Sequence, residues 1–99
     1  MSNYKDYRLL HVKWNNLTRD KRDKLVKLHK EFRETFKDMK LRIKFEKVTN
    51  LIDIPIWIMK LYGFDGYEKY KTNRVSKLEL QRIFHLINQM PMRRQELRN

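Results

Sequence analysis

The chain has 99 residues, enough for one compact domain, and carries 24 Lys and Arg against 12 Asp and Glu, a net charge of +12. Such a balance favours polyanionic partners, nucleic acid first and then an anionic membrane surface or an acidic protein. No cysteine is present, which excludes disulfides, thiolate metal sites and a cysteine nucleophile.

The sequence gives no sign of export or of a membrane anchor. The N-terminal residues MSNYKDYRLL carry charges where a signal peptide needs an apolar core. Every apolar run is much shorter than the roughly 20 residues that cross a bilayer, so no transmembrane segment is predicted. We expect a cytoplasmic location, or the nucleoid or interior of a host cell. The lack of alanine and the abundance of residues with AT-rich codons indicate a small gene from an AT-rich genome, such as that of a virus or phage.

The first two predicted elements are helices, over residues 3–16 and 19–37. In the first helix, apolar and aromatic residues recur at steps of three and four, at Tyr4, Tyr7, Leu10, Trp14 and Leu17. Thr18 can cap the second helix. The second helix has an apolar stripe formed by Leu25, Leu28, Phe32 and Phe36.

The next segment, MKLRIKFE at residues 39–46, alternates strictly between apolar and charged side chains. This pattern is typical of a half-buried strand. In a rival interpretation the second helix continues, since Met39 and Ile43 keep its phase. Leu41 and Phe45 would then face outward, and we therefore favour the strand.

The least charged stretch, VTNLIDIPIWIMKLYGF, follows and has the punctuation of two short helices. Its first apolar residues suit a helix over 47–52. Pro55 suits the first turn of another helix, over 55–62, because its missing N–H would be unpaired there. Gly63 is a typical residue just past the end of such a helix.

Two more elements complete the chain. Asp65-Gly66 is a tight-turn dipeptide and predicts a short β-hairpin over residues 61–71. Ser76 and Glu79 fit the S-x-x-E capping box at the start of a final helix. Pro91 ends that helix, and we expect a frayed basic tail after it.

The run Val48–Pro55 resembles the first helix and turn of helix-turn-helix proteins, with Met59 and Tyr62 at the inward positions of the second helix. The order helix, strand, helix, helix, hairpin is similar to a winged helix. This resemblance implies that the second helix enters the major groove of DNA and that the hairpin forms a wing. We therefore predict a mostly α fold with a small β component. It would be a single winged-helix-like domain over residues 1–90 with a basic C-terminal tail at 91–99. The alternative is an all-α bundle with one long helix over 18–47.

The candidate nucleic-acid contacts lie on the predicted strand, second helix, wing and tail, where cations suit phosphate oxygens. They are Lys40, Arg42, Lys44, Trp57, Lys60, Lys69, Lys71, Arg74, Arg93 and Arg94. This set predicts a small nucleic-acid-binding protein, a DNA-binding regulator, with DNA favoured over RNA. The tyrosines and lysines of YEKYKTNR could stack single-stranded bases, although cross-strand packing of Tyr67 and Tyr70 explains the same pattern.

A second hypothesis comes from the predicted recognition helix, IPIWIMKLY, which has a single cation. Base edges are read by Arg, Lys, Asn, Gln and similar hydrogen-bonding side chains, and three bulky apolar residues of this helix are poor readers. The segment Ile54–Phe64 would then be the contact surface of a protein-binding inhibitor or adaptor with an acidic partner. Ile56, Trp57 and Ile58 would be at its centre. A homodimer is a related alternative, and membrane binding by the helix over 19–37 is a third.

The sequence has little that suggests catalysis. His11, His29 and His85 lie in three different predicted helices, and none has a histidine partner four residues away. There is no glycine-rich phosphate loop and no suggestive Ser/His/Asp spacing. We therefore predict no enzymatic activity, no catalytic residue, no metal site and no cofactor.

Overall fold

A computed structural model describes residues 6–49 and 53–98 of the chain. The strands are β1 (Arg8–Trp14), β2 (Leu41–Lys47), β3 (Trp57–Tyr62) and β4 (Glu68–Thr72). A 3-10 turn at Asn16–Thr18 leads into α1 (Arg19–Glu31), and the other helices are α2 (Arg33–Asp38), α3 (Lys77–Asn88) and α4 (Pro91–Arg98). None of the helices within the described residues is both long and apolar enough to cross a membrane.

The four strands form one mixed sheet in the order β2-β1-β3-β4. The central strand β1 pairs in parallel with β2 and antiparallel with β3, and β3 pairs antiparallel with β4. A parallel pair needs a crossover connection, which α1 and α2 supply. The β3–β4 hairpin turns at Gly66, whose φ of 81° lies in the left-handed region that favours glycine.

The core lies on one face of the sheet, where the helices cover it. Side chains alternate along β1, so that Arg8, Leu10, Val12 and Trp14 are buried while the residues between them are half-exposed. The buried strand residues form one cluster with apolar residues of the helices, namely Leu25, Leu28, Phe36, Leu80, Ile83, Phe84 and Ile87. Among the described residues no helix covers the other face. Residues 6–49 and 53–98 therefore form two layers, with the helices on one side of the sheet.

The prediction of a mostly α, winged-helix-like domain is wrong, and so is the alternative of an all-α bundle with a helix over 18–47. The protein is α+β, with about 28% strand and 46% helix among the described residues. Within the segment predicted as a helix over 3–16, residues 3–5 lie outside the described residues and Arg8–Trp14 form the central strand β1. Leu10 and Trp14 fit both a helical and an alternating period, and pairing with two neighbouring strands decides between the two.

The predicted recognition helix is also a strand, β3. Trp57, Met59 and Leu61 alternate with outward residues and are 7%, 1% and 0% exposed against the helices. Ile58 hides this alternation in the sequence, because it is an apolar residue on the outward face. The short helix predicted over 47–52, before the predicted recognition helix, is not observed in the described part of that segment. Residue 47 ends β2, residues 48 and 49 are irregular, and residues 50–52 lie outside the described residues.

Other predictions are confirmed. The helix over 19–37 is present as α1 and α2, with a break at Phe32, and the strand over 39–46 is present as β2. The hairpin turns where Asp65-Gly66 was expected to turn it. The final helix begins after Ser76, whose Oγ accepts a hydrogen bond from the backbone N–H of Glu79 at 3.0 Å.

Helix α4 is formed by residues for which the sequence indicates a frayed tail, and ion pairs join it to the rest of the fold. The side chain of Arg93 is only 6% exposed and donates to the carboxylate and backbone carbonyl of Asp38. Glu96, one turn further along α4, accepts from the buried guanidinium of Arg8 at 2.9 Å. Residues 91–98 thus pack against both the sheet and the end of α2.

A capping box would also bond the side chain of Glu79 to the backbone N–H of Ser76, but in the structure this side chain has a different partner. The carboxylate of Glu79 is 4% exposed and accepts a hydrogen bond from the hydroxyl of Tyr70 on β4. Burial raises the pKa of Glu79, but hydrogen bonds from Tyr70 and Thr72 and the charges of Arg82 and Arg74 outweigh it. The net effect is a pKa below the usual value. The charged carboxylate therefore joins α3 to the sheet.

We expect Tyr70→Phe to lower the free energy of unfolding by about 1.5–3 kcal/mol at pH 7, because a buried carboxylate loses a hydrogen-bond donor. Since the folded pKa of Glu79 lies below its unfolded pKa, this stabilisation is present above the unfolded pKa. It is lost as the pH falls through the folded pKa. The difference between wild type and Tyr70→Phe should therefore narrow below about pH 5. Urea denaturation across this pH range measures it, and Tyr67→Phe is the control, since Tyr67 is 72% exposed.

Candidate nucleic-acid interface

The face of the sheet that the helices leave uncovered is basic, and we call it the open face. Its side chains are the outward residues of the four strands, namely Leu9, His11, Lys13, Arg42, Lys44, Glu46, Ile58, Lys60, Tyr62, Glu68 and Lys71. Five of these residues are Lys or Arg and two are Glu. The open face therefore has the sign of charge that attracts a polyanion.

Four residues of the open face form one line across all four strands, which we call the basic row. Its members are Lys44, His11, Lys60 and Lys71. His11 lies directly opposite Lys44 and Lys60, and Lys60 lies directly opposite Lys71. Residues opposite each other in a sheet have Cβ atoms only about 5 Å apart, so the like charges of Lys60 and Lys71 destabilise the pairing of β3 with β4. An anion bound along the row would relieve this repulsion.

The two glutamates of the open face only partly offset the basic row. Glu46 Oε1 lies 3.1 Å from His11 Nε2, and Glu68 Oε1 lies 3.6 Å from Lys60 Nζ. Both glutamate side chains are close to half exposed, so water screens these pairs. Among the described residues, Lys44 and Lys71 have no ion-pair partner within 4.0 Å. The row consequently keeps a positive field at both of its ends.

The dimensions of the basic row suit an extended polyanion. Neighbouring strands lie about 4.8 Å apart, so four strands place the first and last residues of the row roughly 14 Å apart. A nucleic-acid strand presents several phosphates over such a length. Lysine and arginine side chains are the usual phosphate contacts, and they fix the position of the nucleic acid without reading its sequence.

The structure brings together four of the cations that the sequence predicted as contacts. Arg42 and Lys44 are on β2, Lys60 is on β3 and Lys71 is on β4, and all four belong to the open face. Strand pairing alone makes them neighbours.

Four other predicted cations lie elsewhere on the surface. Lys40 is exposed in the turn before β2, with a φ of 51°, and Arg74 is exposed after β4. Arg94 is exposed on α4. Lys69 Nζ contacts Asp65 at 2.7 Å, and this hydrogen bond is the main reason that the pKa of Asp65 is lowered. The charge of Lys69 is therefore paired with Asp65 within the hairpin.

The remaining predicted site residues do not fit the roles expected of them. Trp57 is 7% exposed on the helix-covered face, where it can neither lie at a DNA groove nor anchor a partner protein. Arg93 is buried in its pairs with α2 and α4 and is not offered to a phosphate. Of the other residues expected to bind a partner protein, Ile56 is half-buried just before β3 and Ile58 is half-buried on the open face.

Sequence reasoning missed the contribution of β1 to this face. His11 and Lys13 lie at its centre, but the segment was expected to be a helix. The signal was present, because Leu10, Val12 and Trp14 alternate with these two polar residues. A strand prediction for β1 would have found both.

No family model matches this sequence, and neither a curated protein nor a solved structure matches it significantly. Within residues 6–49 and 53–98, no three His, Asp or Glu side chains lie together in a way that could hold a metal ion. The side chains of the open face are five cations, two glutamates, a histidine, a tyrosine and two aliphatic residues.

Proposed function

We propose that the protein binds nucleic acid on its open face, with Arg42, Lys44, Lys60 and Lys71 contacting the phosphates. The basic row is the observation that carries this proposal. A fold that holds lysine opposite lysine in adjacent strands gives up stability, and residues that bind a ligand are a common reason for such a cost.

The other basic surfaces of the molecule give weaker support for a binding site. Along α1, negative residues are interspersed among the positive ones, as in the run RDKRDK that begins at Arg19. Arg22 contacts Asp23 at 2.9 Å, and Glu31 of α1 contacts Lys77 of α3 at 2.9 Å. Such pairs are typical of a solvated helix surface. The open face differs because the residues of the basic row lie in one line across adjacent strands, with Lys60 directly opposite Lys71.

Binding on a sheet also changes the kind of recognition that we propose. Reading base edges in a major groove needs a helix or a two-stranded ribbon that projects into the groove. The segment predicted for that task is β3, a central strand with half of its side chains in the core. A nucleic-acid strand lying across the open face, held mainly through its backbone, suits this architecture better. The proposal therefore does not include a recognition helix.

The test is the affinity for fluorescein-labelled oligonucleotides, measured by anisotropy at about 50–300 mM salt. Four phosphate contacts predict a slope of about −3 when the logarithm of the association constant is plotted against the logarithm of salt concentration. A slope near zero, or no binding at about 50 mM salt, would contradict the proposal.

A further inference from the structure

A pocket of about 370 Å³ lies on the open face, beside the basic row. It is lined by Tyr7, Leu9, His11, Tyr62, Gly63 and Gly66. Pockets that hold small organic groups usually measure roughly 300–1,000 Å³, so this one is at the small end of the range. His11 belongs both to the pocket and to the basic row, which makes the two continuous.

The sheet and the hairpin turn build this pocket together. Leu9 and Tyr62 lie directly opposite each other on β1 and β3, and their side chains form an apolar and aromatic surface. Gly63 and Gly66 border it without side chains. A Cβ added at Gly66 would have no heavy atom within 4 Å, so this side of the pocket is open to solvent. A flat group can therefore enter over the turn.

A cation and an aromatic ring are stacked at the edge of the pocket. The guanidinium carbon of Arg42 lies 4.3 Å from the centre of the Tyr7 ring, and Arg42 is paired with Leu9 across β1 and β2. Stacked arginine and aromatic side chains are the groups that proteins use to hold unpaired bases. Phosphate-binding cations and ring-stacking groups are thus adjacent on one surface.

We propose that this pocket takes one unstacked base of a single-stranded nucleic acid while the basic row holds the neighbouring phosphates. The proposal rests on the proposed function and narrows it to single strands. A duplex keeps its bases stacked inside, where a pocket in a sheet cannot reach them. Sheets that bind single strands present aromatic side chains to bases in this way.

The test compares two single-stranded probes of equal length, one with bases and one with the same sugar-phosphate backbone but no bases. Wild type should bind the probe with bases at least about fivefold more tightly, since one stacked base contributes roughly 5- to 150-fold. It should also prefer that probe to a duplex of the same length. Tyr62→Leu should reduce binding of the probe with bases and leave binding of the abasic probe unchanged.

Two controls separate stacking from folding. Tyr62→Phe keeps the ring and should bind like wild type. Tyr67→Leu removes a tyrosine that is 72% exposed and lies outside the pocket, and it should have no effect. Thermal denaturation shows whether each variant is folded at the assay temperature.

The outcomes distinguish this inference from the proposed function. If wild type binds both single-stranded probes equally, or prefers the duplex, the pocket does not take a base although the open face binds phosphate. If Tyr62→Leu weakens binding of both probes equally, Tyr62 has only a structural role and the inference is overturned. If wild type binds no probe at low salt, the proposed function fails as well.

Discussion

Changing Lys44, Lys60 and Lys71 together to glutamine is expected to weaken nucleic-acid binding by about 100- to 500-fold at 0.1 M salt. Each phosphate contact contributes a salt slope of about 0.7–0.9, which corresponds to roughly five- to eightfold in affinity at this concentration. The salt slope of the variant should also be shallower by about 2 to 3. Anisotropy titrations at several salt concentrations measure both quantities.

The matched control is Lys21→Gln, Lys24→Gln and Lys27→Gln, three exposed lysines on α1. Both triple variants lower the net charge from +12 to +9. If the open face is the binding site, the α1 variant should lose no more than about threefold. Equal losses in the two variants would mean that the charge of the whole molecule, and not the basic row, attracts nucleic acid.

The triple glutamine variant of the basic row also tests whether the row lowers the free energy of unfolding. Without the charges, lysine no longer opposes lysine across β3 and β4. We expect the triple glutamine variant of the row to be at least as stable as wild type in urea denaturation, although its binding is weaker. A gain in stability with a loss of binding is typical of functional residues.

The basic row could be predicted only in part from the sequence. The strict alternation in MKLRIKFE predicts β2 and places Arg42 and Lys44 on the same face of it. Strand order and register depend on contacts between distant residues, which no local pattern reports. His11 and Lys60 are 49 positions apart in the chain and directly opposite each other in the sheet.

The second large effect is expected for Glu96→Ala, which should lower the free energy of unfolding by about 3 kcal/mol. Arg8 is 0% exposed, and its guanidinium donates to the carbonyl of Met39 and to Glu96. Among the described residues its Nε has no hydrogen-bond acceptor. Removing Glu96 leaves a buried charge without its counter-ion, and breaking a buried pair typically costs about 3–5 kcal/mol. Because the side chain of Glu96 is 21% exposed, we expect the lower end of this range.

Three further variants show whether the buried charge is the cause. Glu96→Gln keeps an acceptor and should lose less than Glu96→Ala. Arg8→Met combined with Glu96→Ala removes both charges and should regain most of the stability. Glu31→Ala breaks the exposed pair with Lys77 and should cost less than about 1 kcal/mol. Urea denaturation at pH 7 measures all of them, and a change below about 0.5 kcal/mol in Glu96→Ala would show that the pair does not stabilise the fold.

Arg8 also explains part of what the sequence could not predict about the fold. A charged residue at a core position of β1 breaks the alternation at its first residue. In β3 the alternation is broken by Ile58, which is an apolar residue on the open face. The helix over 19–37 had no such exceptions at Leu25, Leu28 and Phe36, which are buried as their spacing predicts.

The position of β1 at the centre of the sheet has a consequence for synthesis of the chain. β1 precedes both of its neighbours, and its pairing with β3 has to wait until residue 62 has been made. Both of its edges are unpaired until β2 has been made, and the edge that β3 covers stays unpaired until residue 62. An unpaired edge can associate with other nascent chains. Arg8, His11 and Lys13 interrupt its apolar residues, and such interruptions act as gatekeepers against aggregation. The polar residues of β1 would thus protect the strand before they contribute to the finished domain.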